Sequence, residues 1–339
     1  MSSTQQLFGD YGELSLQANG GMIGPAKFKL PGLDPIKPLT CPNWHDRPGA
    51  EDWLPLIKNL CGDFICAPYG APEMSEALPQ NWKQNPGEKI TNDNWFHGFA
   101  VNNLWDVQID EGVPTSGQMI CHPPTSHPFE QVSRKVSLLP DGPGYQVELN
   151  IVARSDIKFP LALHPCFLLP DQPGSLNLEV ATAGAGWTYP VSLIDENAPV
   201  AINARFDGLN TVPRIDGKKM DLTKLPPDEP FEALVQIGAP EGEVRLVYEK
   251  LGFEIIFSYD AQLLPSLVIW ISNCGRTEAP FDGKFRTLGI EAVAGAFDLG
   301  PHVSTSKENP IAEEGISTFI ELSAGEKLTT TSTIRLQAL

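Results

Sequence analysis

The chain has 339 residues, 41% of them hydrophobic and only 19% charged. That is enough apolar mass for a large core, and it excludes a disordered or fibrous chain. The 32 prolines, against a usual share of about 5%, oppose long helices and favour short strands joined by turns. A formal charge of −18 makes nucleic acid and membrane surfaces unexpected partners.

In chain order, only short helical turns are expected, for example over 50–60 (AEDWLPLIKNL), where Pro55 limits the helix. Apolar and polar residues then alternate from Trp105 to Asp110, the signature of a half-buried strand. Tyr145, Val147, Leu149 and Ile151 share one parity, and so do Val244, Leu246 and Tyr248. Pro140-Asp141-Gly142 and Leu251-Gly252 predict antiparallel hairpins. Apolar runs at 253–259, 266–272 and 316–322 predict buried strands, and Leu328, Ile334 and Leu336 a final alternating one. The segments 195–230 and 298–315 read as polar loops. About a dozen or more strands, without repeats or a linker, predict a single all-β domain over 1–339. Its expected form is a large antiparallel two-sheet sandwich.

The six cysteines (Cys41, Cys61, Cys66, Cys121, Cys166 and Cys274) form no CxxC pair and read as free thiols in a reducing compartment. The N-terminus shows no signal-peptide pattern, and no apolar run approaches the length of a membrane span. A soluble, cytoplasmic protein is expected.

Three places carry candidate chemistry. His97 sits in Trp95-Phe96-His97-Gly98-Phe99-Ala100, among aromatics and before a glycine. It is either a structural histidine or one with room for a ligand. His164 shares a strand face with Ala162, opposite Leu161 and Leu163, and Pro165 predicts a strand end or bulge there. Glu291 shares a face with Gly289 in an otherwise apolar strand. Such a carboxylate is exposed, paired to Arg286 or Lys284, or functional. Two imidazoles and a carboxylate suffice for general acid–base catalysis without metal or cofactor. Phe167 and Trp270 are large aromatic residues on predicted strands, where ordinary core packing is the plain account. Cys121, His122 and His127 lie within seven residues, but off any standard zinc spacing; a proline-rich surface loop is the simpler account, and no metal is assigned.

These motifs resemble the aldose 1-epimerase (galactose mutarotase-like) family. His97-Gly98-Phe99-Ala100 followed by Trp105-Asp106-Val107, then His164-Pro165-Cys166-Phe167, then Leu288-Gly289-Ile290-Glu291 are similar to that family's segments. They occur in its order, at separations of 67 and 127 residues. The resemblance implies a galactose mutarotase-like supersandwich and an isomerase of carbohydrate metabolism whose partner is a small-molecule sugar. It also implies Glu291 as base, His164 as a protonated acid whose pKa a nearby carboxylate raises, His97 as a sugar ligand, and Phe167 and Trp270 as apolar faces for the sugar ring. The chain departs from the family in having no Arg between Cys66 and Glu73, Val101 after the first motif and Ala292 after Glu291. The family's sugar-binding Asp has no assigned counterpart. A non-catalytic carbohydrate-binding sandwich is one alternative. A hexose-phosphate epimerase, with Lys284 and Arg286 as its local support, is another. Sequence sets no oligomeric state.

Overall fold

The computed structural model describes residues 4–90, 92–181, 185–194, 198–239 and 241–339. Its strands form a ten-stranded and a nine-stranded antiparallel sheet, packed face to face. Both expected hairpins are present: Phe129–Leu138 pairs Gly144–Ala153, and Glu243–Tyr248 pairs Phe253–Ser258. The run at 316–322 is strand only over Ile320–Leu322. The helical turn at Pro55–Asn59 begins at Pro55, where a missing N–H costs nothing. No described helix is long and apolar enough to cross a membrane.

Five neighbouring strands of the larger sheet carry the site: β1 (Asp63–Cys66), β2 (Leu161–Phe167), β3 (Phe231–Gly238), β4 (Ser266–Asn273) and β5 (Arg286–Ala294). They lie in the order β1-β2-β5-β4-β3. Side-chain alternation divides them cleanly. Ile65, Leu163, Ile269 and Ile290 face the second sheet and join the inter-sheet core. Phe64, Ala162, Leu234, Val268 and Val293 face the other way, into a second apolar cluster roofed by loops. Pro165 neither ends nor bulges its strand. The ladder to β5 lapses between Leu163, opposite Ala292, and Cys166, opposite Gly289, then resumes in the same register. One lost donor is tolerated because β1 still pairs through Pro165 on the other side.

One polar link ties the sheets. Asp63 of β1 accepts from Arg134 Nη2 at 2.7 Å and from the Tyr145 hydroxyl at 3.1 Å, both on the second sheet. Arg134 also donates to the carbonyls of Gly21 and Asp63, and all three side chains are buried. The cysteine expectation is corrected in one respect: Cys41 and Cys61 form a disulfide, because the loop after the strand Ile23–Phe28 returns beside Gly62, whose N–H donates to the Thr40 carbonyl at 2.8 Å. Cys66, Cys121, Cys166 and Cys274 are free thiols.

Asp63→Ala leaves the Arg134 guanidinium buried without its counter-charge. We expect a loss of about 3–5 kcal/mol in urea unfolding; a loss under about 1 kcal/mol would show that the link contributes little.

Candidate active site

The loop-roofed face of the larger sheet encloses a cavity of about 110 Å³. His97, His164, Glu291 and Trp270 all line it. The row across the sheet explains why. Phe64 is opposite His164, Val268 opposite Glu291, and Gly289 opposite Trp270, so chemistry and aromatic wall share one face. Gly289 is needed there: a Cβ would meet Trp270 at 3.1 Å and Glu291 Oε1 at 3.4 Å. Phe167 is corrected. It has the opposite parity to His164, is fully buried in the inter-sheet core and packs against Phe257, so it does not reach the cavity.

Glu291 is buried and paired, but not to Arg286 or Lys284. Its Oε1 lies 3.3 Å from His164 Nε2, and its Oε2 accepts from the Tyr69 hydroxyl at 2.5 Å. Arg286 turns instead to Asn273. Burial pushes the Glu291 carboxyl well above its usual range, against the smaller opposing effect of Tyr69. Burial also lowers His164, to about 3. This corrects the expectation of a protonated His164: the carboxylate is adjacent, but losing water outweighs it. With the imidazole held down and the carboxyl held up, the pair is an imidazole and a carboxylic acid sharing one proton. The His164 ring N–H side meets its own backbone and Cys166 Sγ, 3.6 Å from Nδ1. That leaves the Nε2 lone pair facing Glu291.

His97 reaches the cavity from a loop. It adopts φ 63°, and Gly98 follows at φ 87° with its Cα hydrogens against the Ala67 carbonyl, where a Cβ would lie 2.4 Å away. Its Nδ1 accepts from the Gly70 N–H at 3.1 Å, so Nε2 carries the proton and can donate into the cavity. Desolvation by burial keeps it neutral. Tyr69 stacks on its ring at 5.0 Å. Behind it, buried Asp93 accepts from the backbone N–H of Trp95 and Phe99 and from His127 Nε2 at 3.0 Å. His127 is thus a brace for the His97 turn.

Tyr69, Arg276 and Asp298 also line the cavity and were not identified from sequence. Tyr69 lies in the stretch where the family resemblance expects an arginine. Its signal was an aromatic hydroxyl in a segment read only for what it lacked. Arg276 and Asp298 lie in loops, where strand parity says nothing.

No family model and no curated protein matches this chain. Solved structures do. The chain is similar to the GalM/aldose epimerase homologue of C. elegans, at 12% identity over 100% of both chains with TM-score 0.62. It is similar to a galactose mutarotase related enzyme from Lactobacillus acidophilus, at 13% identity over 99% of this chain and 98% of that one, TM-score 0.60. A galactose mutarotase-like protein from Lactobacillus casei matches at 14% identity over 99% and 100%, TM-score 0.59. The fold is the galactose mutarotase-like sandwich.

The neutral pair makes a spectroscopic prediction. Ring-nitrogen NMR should find His164 neutral and Nδ1-protonated from about pH 5 to about 8, with no step near its ordinary pKa. A midpoint near 6.5 would contradict the burial argument.

Proposed function

We propose that the protein is a cofactor-independent aldose 1-epimerase that interconverts the anomers of a neutral sugar. The observation that carries the reading is the 3.3 Å contact of His164 with Glu291 in a cavity shared with His97. Anomer exchange needs a base for the anomeric hydroxyl proton and an acid for the ring oxygen. The bond from C1 to the ring oxygen breaks, giving the open aldehyde. Rotation about C1–C2 and the reverse proton transfers close the ring on the other face.

The pair supplies both groups from its single proton. Moving that proton from Glu291 to His164, across their contact, creates a carboxylate base and an imidazolium acid without drawing on solvent. Glu291 then takes the anomeric proton while His164 gives its own to the ring oxygen. The pair ends the step as it began, neutral and carrying one proton. The Tyr69 hydroxyl bonds to the carboxylate form and so favours its creation. His97 Nε2–H donates to a sugar oxygen, and Trp270 offers an apolar face to the ring.

Anomer exchange followed by NMR across a panel of free sugars tests the reading. Glu291→Gln and His164→Asn should each lower kcat by about 10²–10⁴-fold. Full turnover in either variant would remove the proposed base or acid. Tyr69→Phe removes a hydrogen bond to a charged group, worth about 1.5–3 kcal/mol, and should lower kcat by about 10–100-fold. The pH profile follows from the shifts. His164 gains a second proton only at about 3, and Glu291 loses the shared one only well above the usual carboxylate range. Activity should therefore hold as pH falls through about 6.5 and decline on the alkaline side, as the pair loses its proton. An acid limb near the ordinary histidine pKa would contradict this.

A further inference from the structure

Arg276 is the only lysine or arginine among the described residues lining the cavity, and it is held in an unusual way. Its Nε donates to Glu232 Oε1 at 2.8 Å. The same oxygen accepts from Trp270 Nε1 at 2.7 Å, so Glu232 fixes the guanidinium and the aromatic wall together. Glu232 is fully buried on β3. The guanidinium carbon lies 5.1 Å from the Phe281 ring centre and 5.9 Å from that of Trp270, so rings restrain it as well. Its backbone is fastened too, since the Arg276 carbonyl accepts from the Gly283 N–H at 2.7 Å. Nη1 and Nη2, by contrast, make no hydrogen bond among the described residues. A fixed guanidinium whose terminal fork no described residue engages is a preorganised donor for two adjacent oxygens.

Charge decides which oxygens. Glu232 already balances Arg276, and Glu291 and Asp298, which line the cavity, are both carboxyls. There is no net positive field for a phosphate, and the surrounding wall at Ile57, Leu60, Leu193 and Phe281 is apolar. Two vicinal hydroxyls meet the fork without bringing a charge into that wall.

We infer that Arg276, anchored by Glu232, is the specificity-determining residue of this cavity and grips a vicinal hydroxyl pair of an unphosphorylated sugar. This rests on the sugar-binding part of the reading above and not on turnover.

The test compares wild type with Arg276→Lys, which keeps the charge but loses the fork, and with Glu232→Gln, which loosens the anchor. Anomer exchange is measured for D-glucose, D-galactose, their monodeoxy analogues and glucose 6-phosphate. Sugar binding is measured in parallel by saturation-transfer NMR, with Glu291→Gln as a background that does not turn over. Arg276→Lys should raise KM about 10–100-fold while kcat stays within about threefold. Glu232→Gln should move KM in the same direction. Deoxygenation at one of two adjacent positions should weaken binding to wild type by about tenfold, and that penalty should vanish in Arg276→Lys. The inference is overturned if KM and the deoxy penalty survive Arg276→Lys. It is overturned as well if glucose 6-phosphate binds better than glucose through Arg276, or if no sugar binds wild type at about 100 mM. Arg276-dependent binding without exchange would leave it standing and sink the epimerase reading; exchange indifferent to Arg276 would do the reverse.

Discussion

The site depends on one constraint: a carboxyl group stands in the middle of a central, otherwise apolar strand. Glu291 has a buried neighbour on every side of β5, and water does not reach it freely. Leaving such a group without partners would cost several kcal/mol. Its two oxygens are instead divided between His164, from the adjacent strand β2, and Tyr69, from the loop after β1. Both partners therefore come from chain positions far from Glu291, and strand pairing brings them there. The requirement to partner one acid thus couples three segments of the sheet and sets where the cavity floor lies.

The same constraint shapes the backbone around it. Pro165 withholds a donor from the β2–β5 ladder beside His164, opening the pairing at the position where the imidazole must lean toward Glu291. Gly289 removes a side chain that would fill the space between Glu291 and Trp270. His97 is held in the left-handed region, which a non-glycine residue adopts only when its surroundings insist. Those surroundings are visible: Gly70 binds the ring, Asn102 binds the carbonyls of Phe96 and Gly98, and the Asp93–His127 pair fixes the turn from behind. The site is built on sheet and braced turns, which suits chemistry needing fixed proton donors and acceptors.

Strand parity made much of this legible in sequence. The period of two placed Ala162 with His164 and Gly289 with Glu291, and the hairpins at 140–142 and 251–252 followed from turn chemistry. Parity also contained the Phe167 correction, since a residue three positions from His164 on a strand faces the other side. Four features lay outside what pattern carries. The Cys41–Cys61 disulfide depends on two loops meeting, and spacing does not encode that. Arg134 reads as one charge in an alternating strand, and only the packed sheets show that it points inward to Asp63. Tyr69 and Arg276 act through loop geometry. For His164, sequence shows the neighbouring charge and not the lost water, and the lost water is the larger effect.

That last point bears on how such a site can work at all. A cavity lined largely by Leu, Ile, Phe and Trp penalises charge, so an ionised His164 and Glu291 are costly there. A neutral pair avoids the difficulty. In the proposed reaction the charged form is reached by one short proton transfer within the pair, when a polar substrate is present to solvate it. The hydroxyls of the proposed sugar would replace part of the water that burial removed. On the proposed reading the apolar wall and the shifted acid–base pair are one design: the wall disfavours the ionised pair, and the hydroxyls of a sugar would favour it.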